Sequence, residues 1–300
     1  MKTQTPYSIM QSSSESQLRG ARHLFSGLLA VIFSTLIIQS ASAQLILNGN
    51  FESWGTTTGT PPSGIPTSWS SVGNTVPPYQ TPGLLAGSTY SAFIRPNGTS
   101  NTVSQVLTSN TVKNFEISYT FAALDPGSTT QRSFNINLNQ GTSGSNNSFL
   151  NLRTVRGSSA GVLSLESYNG SSWVTLGSNI FSASVYNSVS NTFTTLNAYN
   201  VTLSLDLAAV TPTYSITYGL VGSGTTTLSG LTAFYFVPTG ASFYSVSLQG
   251  GGSSAGYAVD NISIVPEPST LALLGAGIIL VTCISRNRTR CFASKQQGQI

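Results

Sequence analysis

The chain has 300 residues, of which 39% are hydrophobic and only 7% charged, and a formal net charge of +4. The excess of bases sits at the ends: between 44 and 265, Arg95, Lys113, Arg132, Arg153 and Arg156 stand against Glu52, Glu116, Asp125, Glu166, Asp206 and Asp260, a net of −1. Without a dense basic face this composition speaks against nucleic-acid binding. With His23 the sole histidine and Cys283 and Cys291 the sole cysteines, it also excludes Ser-His-Asp or Cys-His catalysis, His- or thiolate-bound zinc and disulfides in that region.

Residues 1–43 have the form of a signal peptide. Arg19, Arg22 and His23 precede an apolar run at 24–38, too short to span a bilayer comfortably. Ala41 and Ala43 then make an A-x-A site, which places cleavage by signal peptidase before Gln44. A β-sandwich domain is expected over 44–264. It opens with "LILNGNFESW" (45–54), followed by Gly/Pro/Thr-rich stretches at 55–69 and 73–83 that read as long loops. Asn97-Gly98 lies between two β-like runs and predicts a tight hairpin.

Further along, apolar residues recur at every second position. Phe115, Ile117, Tyr119 and Phe121 form one such set, and Phe134, Ile136 and Leu138 a second. Val201, Leu203, Leu205 and Leu207 form a third, and Tyr214, Ile216 and Tyr218 a fourth. A period of two built from β-branched and aromatic residues marks half-buried antiparallel strands. Asn169-Gly170 predicts a hairpin between "VLSLESY" and "SSWVTL", and the segment before Pro212 predicts a longer one. About a dozen strands without a repeat predict an all-β, single antiparallel sandwich or jelly roll.

The end differs in character. Val265-Pro266-Glu267-Pro268 precedes a 17-residue apolar run at 269–285, then Arg286, Arg288 and Arg290. Prolines on both sides of Glu267 keep that tripeptide extended. The apolar run is at the lower limit for a transmembrane helix, and the arginines keep the residues after them on the cytoplasmic side. Residues 265–290 thus read as a C-terminal membrane-engaging signal and 291–300 as a cytoplasmic tail.

The three-part order of 265–290 resembles the PEP-CTERM sorting signal. That resemblance implies an exopolysaccharide-producing Gram-negative bacterium and processing near Pro-Glu-Pro by an exosortase, with the membrane engaged through the helix until processing. The extension "CFASKQQGQI" departs from signals that stop soon after the basic cluster. The opening "LILNGNFESW" and closing "YAVDNISIV" resemble jelly-roll carbohydrate-binding and galactose-binding-like domains, and "GVLSLESYNGSSWVTLG" a concanavalin- or laminin-G-like sandwich. In the former families a calcium ion often staples the first strand to the last, which here implies Glu52 and Asp260 as ligands, with carbonyls from Gly49 or Asn50. The ion needs six to eight oxygens, and two carboxylates are a minimum.

Trp69 and Tyr79, in the proline-rich stretches, are the candidate sugar-stacking rings, since an indole or phenol packs on apolar sugar faces while its polar edge bonds a hydroxyl. Trp54 and Trp173 read as core. Asp125, Glu166 and Asp206 show no glycosidase-like spacing, and pairing with the five bases accounts for them. The sequence reading is thus a non-enzymatic, exported surface or extracellular-matrix protein that binds carbohydrate or adheres, with extracellular polysaccharide as partner. A structural coat protein, or a glycan-active hydrolase, are the alternatives.

Overall fold

The computed structural model describes residues 46–72, 77–95, 102–107, 114–129, 131–140, 148–236, 245–250 and 255–266. Ala41, Ala43, Gln44, Glu267, Pro268, the apolar run, Arg286, Arg288 and Arg290 lie outside them. Among these described residues sixteen strands occur in chain order. They are β1 (Ser70–Val72), β2 (Tyr79–Pro82), β3 (Tyr90–Ile94), β4 (Thr102–Val106), β5 (Asn114–Ala123), β6 (Arg132–Asn139), β7 (Ser148–Arg156) and β8 (Val162–Tyr168). Then come β9 (Trp173–Ser182), β10 (Val185–Asn187), β11 (Thr192–Thr195), β12 (Tyr199–Asp206), β13 (Thr213–Leu220), β14 (Thr226–Leu231), β15 (Ser245–Gln249) and β16 (Tyr257–Pro266).

Two seven-stranded antiparallel sheets form a sandwich, in the orders β1-β4-β15-β6-β7-β8-β9 and β14-β13-β12-β5-β16-β3-β2, and β10–β11 make a separate hairpin. Alternation fills the space between the sheets: Phe115, Ile117, Tyr119 and Phe121 of β5 are at most 4% exposed, as are Phe134, Ile136 and Leu138 of β6. Phe134 joins the two sheets. Its ring lies 4.6 Å from Phe121, 5.5 Å from Tyr119 and 5.0 Å from Tyr257, the last edge-on. The Tyr257 hydroxyl crosses between sheets to within 2.9 Å of the Asn135 carbonyl and 3.2 Å of that of Gln249. A buried phenol finds a partner in this way while its ring stays in apolar surroundings.

The alternate, outward positions line up in rows across the strands. On the β16 sheet, Ser263, Ser118, Thr202, Thr217 and Thr227 occupy adjacent register positions across five strands. Their hydroxyls bond laterally, Ser118 to Thr202 at 3.1 Å and Thr217 to Thr227 at 2.8 Å. The hairpin β10–β11 covers part of this sheet, with Tyr186 stacked 4.5 Å from Phe93 and Phe193 5.2 Å from Tyr186.

Two predicted hairpins form. Tyr168 pairs with Trp173 across Asn169–Ser172, so the loop has four residues rather than two. Gly170 takes the left-handed φ of 93° there, and the Asn169 side chain accepts from the N–H groups of Ser171 and Ser172. Asp206 pairs with Thr213 to close β12–β13. Asn97-Gly98 lies outside the described residues, but the runs on either side of it do not pair as expected: β3 belongs to one sheet and β4 to the other. A turn dipeptide carries only local information, and which strands pair is decided by the sheets as a whole.

The segment at 46–51 packs beside β16. Ile46 and Phe51 are buried, and the Ile262 N–H donates to the Gly49 carbonyl at 2.8 Å. A Cβ at position 49 would stand 1.8 Å from the Ile262 carbonyl oxygen. Gly49→Ala therefore forces this segment off β16 and is expected to lower stability by about 1–3 kcal/mol, the usual range for overpacking, as read from urea denaturation midpoints.

Candidate functional site

The two candidate sugar-stacking rings are already occupied. Trp69 is 5% exposed, lies 5.2 Å from Phe51 and donates its indole N–H to the Asn48 carbonyl at 3.3 Å. It plugs the core beneath the 55–69 stretch, which is itself held by paired bonds between Thr58 and Ser63 and so is not an open loop. Tyr79 opens β2 and is half-buried; the Arg95 guanidinium sits 4.1 Å over its ring and donates to its hydroxyl at 2.8 Å, while Phe93 stacks at 6.3 Å. Trp69 is thus buried, and Tyr79 carries the Arg95 guanidinium over one face.

The structure brings Glu52 and Asp260 together through one hydroxyl. Ser88 Oγ lies 2.7 Å from Asp260 Oδ2 and 3.0 Å from Glu52 Oε1. Asp260 is wholly buried; its Oδ2 also accepts from the Leu84 N–H at 3.1 Å and its Oδ1 from the Asn261 N–H at 2.8 Å. Glu52 Oε1 accepts from the N–H groups of Thr89 and Tyr90 at 2.7 and 3.3 Å. The Gly49 carbonyl, a proposed further ligand, is taken by Ile262. Calcium is held by oxygen atoms, whereas four N–H groups point at these carboxylates, and no third acidic side chain joins them among the described residues. The cage as built fits carboxyl groups satisfied by N–H and O–H donors better than a calcium shell. Burial, with the Glu52 charge beside it, raises the Asp260 pKa against the hydrogen bonds it accepts. For Glu52, desolvation pulls upward but the bonds from Thr89, Tyr90 and Ser88 outweigh it and hold the pKa below its ordinary value.

A different constellation emerges on the outer face of the other sheet. Ser70, Ser104, Ser247, Asn137 and Asn151 form one register row across five strands, and Tyr168 and Trp173 pair on β8 and β9 beyond it. In the next row Asn135, Arg153, Glu166 and Thr175 follow one another from β6 to β9, and the Asn135 amide donates to Gln249 at 2.8 Å. Two side-chain carbonyls here, Asn135 Oδ1 and Asn151 Oδ1, are buried with no hydrogen-bond partner, a costly condition for a buried acceptor. Beside them Arg153 donates to Glu166 Oε2 at 2.8 Å through Nε and lies 2.7 Å away through a terminal nitrogen. Its guanidinium also sits 3.8 Å over the Trp173 ring. Tyr168 lies 5.2 Å from Trp173 and stacks at 5.5 Å on Tyr235. The Ser167 hydroxyl holds that last loop by donating to the Ala233 carbonyl at 2.6 Å. Arg132, one rung further at the start of β6, has its pKa lowered by burial and then by the like charge of Arg153.

Trp173 is thus half-exposed on this outer face and not in the core, because its strand position alternates with inward residues. Trp54, by contrast, is half-buried but packs against the core as expected and donates its indole N–H to the Phe51 carbonyl. The pairing expected of the acids holds for Glu166 with Arg153, and Asp125 lies 3.7 Å from Arg156. Val265 and Pro266 of the Pro-Glu-Pro region are the last residues of β16, in register with Glu116 and Phe115.

Residues 265–288 match the PEP-CTERM protein-sorting motif. No curated protein matches the chain significantly. Among solved structures, the seed lectin of Lotus tetragonolobus is similar at 10% identity and a TM-score of 0.41, over 76% of this chain and all of that one. A marine PL-14 alginate lyase from Aplysia kurodai is similar at 11% identity and a TM-score of 0.38, over 60% of this chain and 84% of that one. The binding domain of botulinum neurotoxin serotype C1 is similar at 12% identity and a TM-score of 0.39, over 83% of this chain and 52% of that one.

The Asp260 cage yields a signed expectation. The folded state holds the Asp260 proton more tightly than the unfolded chain does, so stability falls as pH rises from the ordinary aspartate range through the raised value. In denaturation midpoints taken between about pH 4 and 8, Asp260→Asn should lose this slope. Asp260→Ala should cost about 2–3 kcal/mol by orphaning buried donors. Millimolar calcium should leave the midpoint unmoved, and a saturable rise would restore the metal reading.

Proposed function

We propose that the chain is exported and processed near Pro-Glu-Pro by an exosortase, and acts as a non-catalytic carbohydrate-binding module of the surface or extracellular matrix of a Gram-negative bacterium. The match at 265–288 supports the sorting half of this reading. On it, signal peptidase removes 1–43, and the apolar run with Arg286, Arg288 and Arg290 holds the chain in the membrane until the exosortase acts.

The binding half rests on one observation above all, the unpartnered carbonyls of Asn135 and Asn151 on a polar sheet face. A sugar hydroxyl is the donor such acceptors lack; Ser104, Ser247 and Asn135 are buried, so a glycan would reach the row from the half-exposed end formed by Asn137, Asn151 and Trp173. Glycoside hydrolysis calls for two carboxylates flanking the scissile bond. Among the described residues of these rows the acid is Glu166, and Arg153 neutralises it. The other reading, a coat protein with no ligand, draws support from the hydroxyl row of the opposite sheet, whose members bond to one another.

Titration of the purified protein with a panel of polysaccharides, the producer's own exopolysaccharide included, separates the two. Saturable binding that weakens roughly tenfold, about 1.4 kcal/mol, in both Asn151→Ala and Trp173→Ala is the expected result. Folded protein that binds nothing in the panel would favour the coat protein.

A further inference from the structure

The strand that carries the sorting motif is built in two halves. Between Asp260 and Ser263 its register against β5 shifts, and Asn261 takes a left-handed φ of 50° at that bulge. Before the bulge β16 is held on both sides: Tyr257–Val259 pair with β3 and Tyr257–Asp260 with β5. After it, Ser263, Ile264, Val265 and Pro266 pair with Ser118, Ile117, Glu116 and Phe115 of β5, while β3 has ended. Beside the bulge lies a cavity of about 530 Å³, lined by Ile46 to Asn50 and Asn261 to Ser263. The last four residues are thus secured by one ladder and by Ile264, which is fully buried.

The motif begins inside this half. Val265 and Pro266 are paired strand residues, and only Glu267 and Pro268 separate them from the apolar run that starts at Ser269. Two residues and their flanking bonds reach about 10 Å when extended. A peptidase takes its substrate as an unpaired, extended segment on both sides of the cut. With the sandwich closed, the residues on the amino side of Pro-Glu-Pro are bound to β5 and are not free to enter such a site.

We propose that release of Ser263–Pro266 from β5 is the step that admits the processing peptidase, with the bulge at Asn261–Ile262 as the point where peeling stops. This rests on the processing proposed above. In the cleavage itself the C–N bond next to the motif breaks and its carbonyl carbon bonds to the oxygen of water or of an acceptor hydroxyl. The departing nitrogen takes the proton which that oxygen loses. Beyond the bulge, Ile262 stays tied through its N–H to the Gly49 carbonyl, and Tyr257–Val259 stay paired on both sides, so the body of the sheet survives the release. The fold in this way sets the order of events, strand release first and bond cleavage second.

The test tracks processing of the full chain in an exporting host by pulse-chase and mass. A flexible Gly/Ser spacer between Ile264 and Val265 keeps the motif intact but frees it from the sheet, and should speed processing at least threefold. Glu116→Cys with Val265→Cys, in a chain whose Cys283 and Cys291 are serine, places two thiols at directly opposed register positions, close enough to bridge. The bridged form should not be processed, and a reductant should restore the wild-type rate. Equal rates with and without the spacer, or normal processing of the bridged form, overturn the proposal while leaving exosortase processing intact. If neither the wild-type nor the spacer chain is ever cut, the processing reading itself falls, and this inference with it.

Discussion

The fold depends on one constraint: the last of the described strands is an inner strand. β16 sits between β5 and β3, supplies Tyr257, Val259, Ile262 and Ile264 to the core, and receives the 46–51 segment along its flank. Until it arrives the β16 sheet is split in two, and Phe134 of the opposite sheet lacks the Tyr257 edge it packs against. Non-local pairing of this kind makes closure late and cooperative, because the loop entropy is spent before the contacts form. Beginning and end are then locked by the Glu52–Ser88–Asp260 cage, in which every donor but the Asn261 N–H comes from residues 84–90.

Much of the architecture was legible because burial imposes a period of two on the sequence. The inward residues of β5, β6, β12 and β13 stand where alternation puts them, and the Asn169 turn and the β12–β13 hairpin arise from short-range chemistry. What alternation leaves open is partnership. Nothing local distinguishes a run that pairs with its neighbour from one that joins the other sheet, as β3 and β4 do on either side of Asn97-Gly98. Trp69 misleads for a related reason: proline-rich flanks mark an irregular backbone, but an irregular backbone still needs an apolar plug where it covers a core.

The outer face was harder still. Asn135, Asn137, Asn151 and Arg153 read in sequence as the polar alternates of good strands, no different from any solvent-facing residue. Their significance comes from register, which sets Ser104, Ser247, Asn137 and Asn151 in a line and brings Arg153 beside Glu166 and over Trp173. Register is fixed by the whole sheet and by bulges such as that between Arg132 and Asn135, and no window of sequence holds it. Glu52 and Asp260 were the exception, since the resemblance of the two ends of the domain to jelly-roll carbohydrate-binding domains implied that they lie side by side. Only the surrounding N–H groups, which no side-chain pattern reports, decide what kind of cage they share.

The two-part build of β16 also has a mechanical meaning. Any pull on the C-terminal end of the chain enters the sandwich through Pro266 and is carried first by the single ladder to β5, which opens one bond at a time like a zipper. Past Asn261 the strand is flanked on both sides, so each further residue released must break bonds to two neighbours at once. The sandwich therefore has a soft lead and a hard stop in one strand, giving a few residues of slack under tension before the load reaches the core.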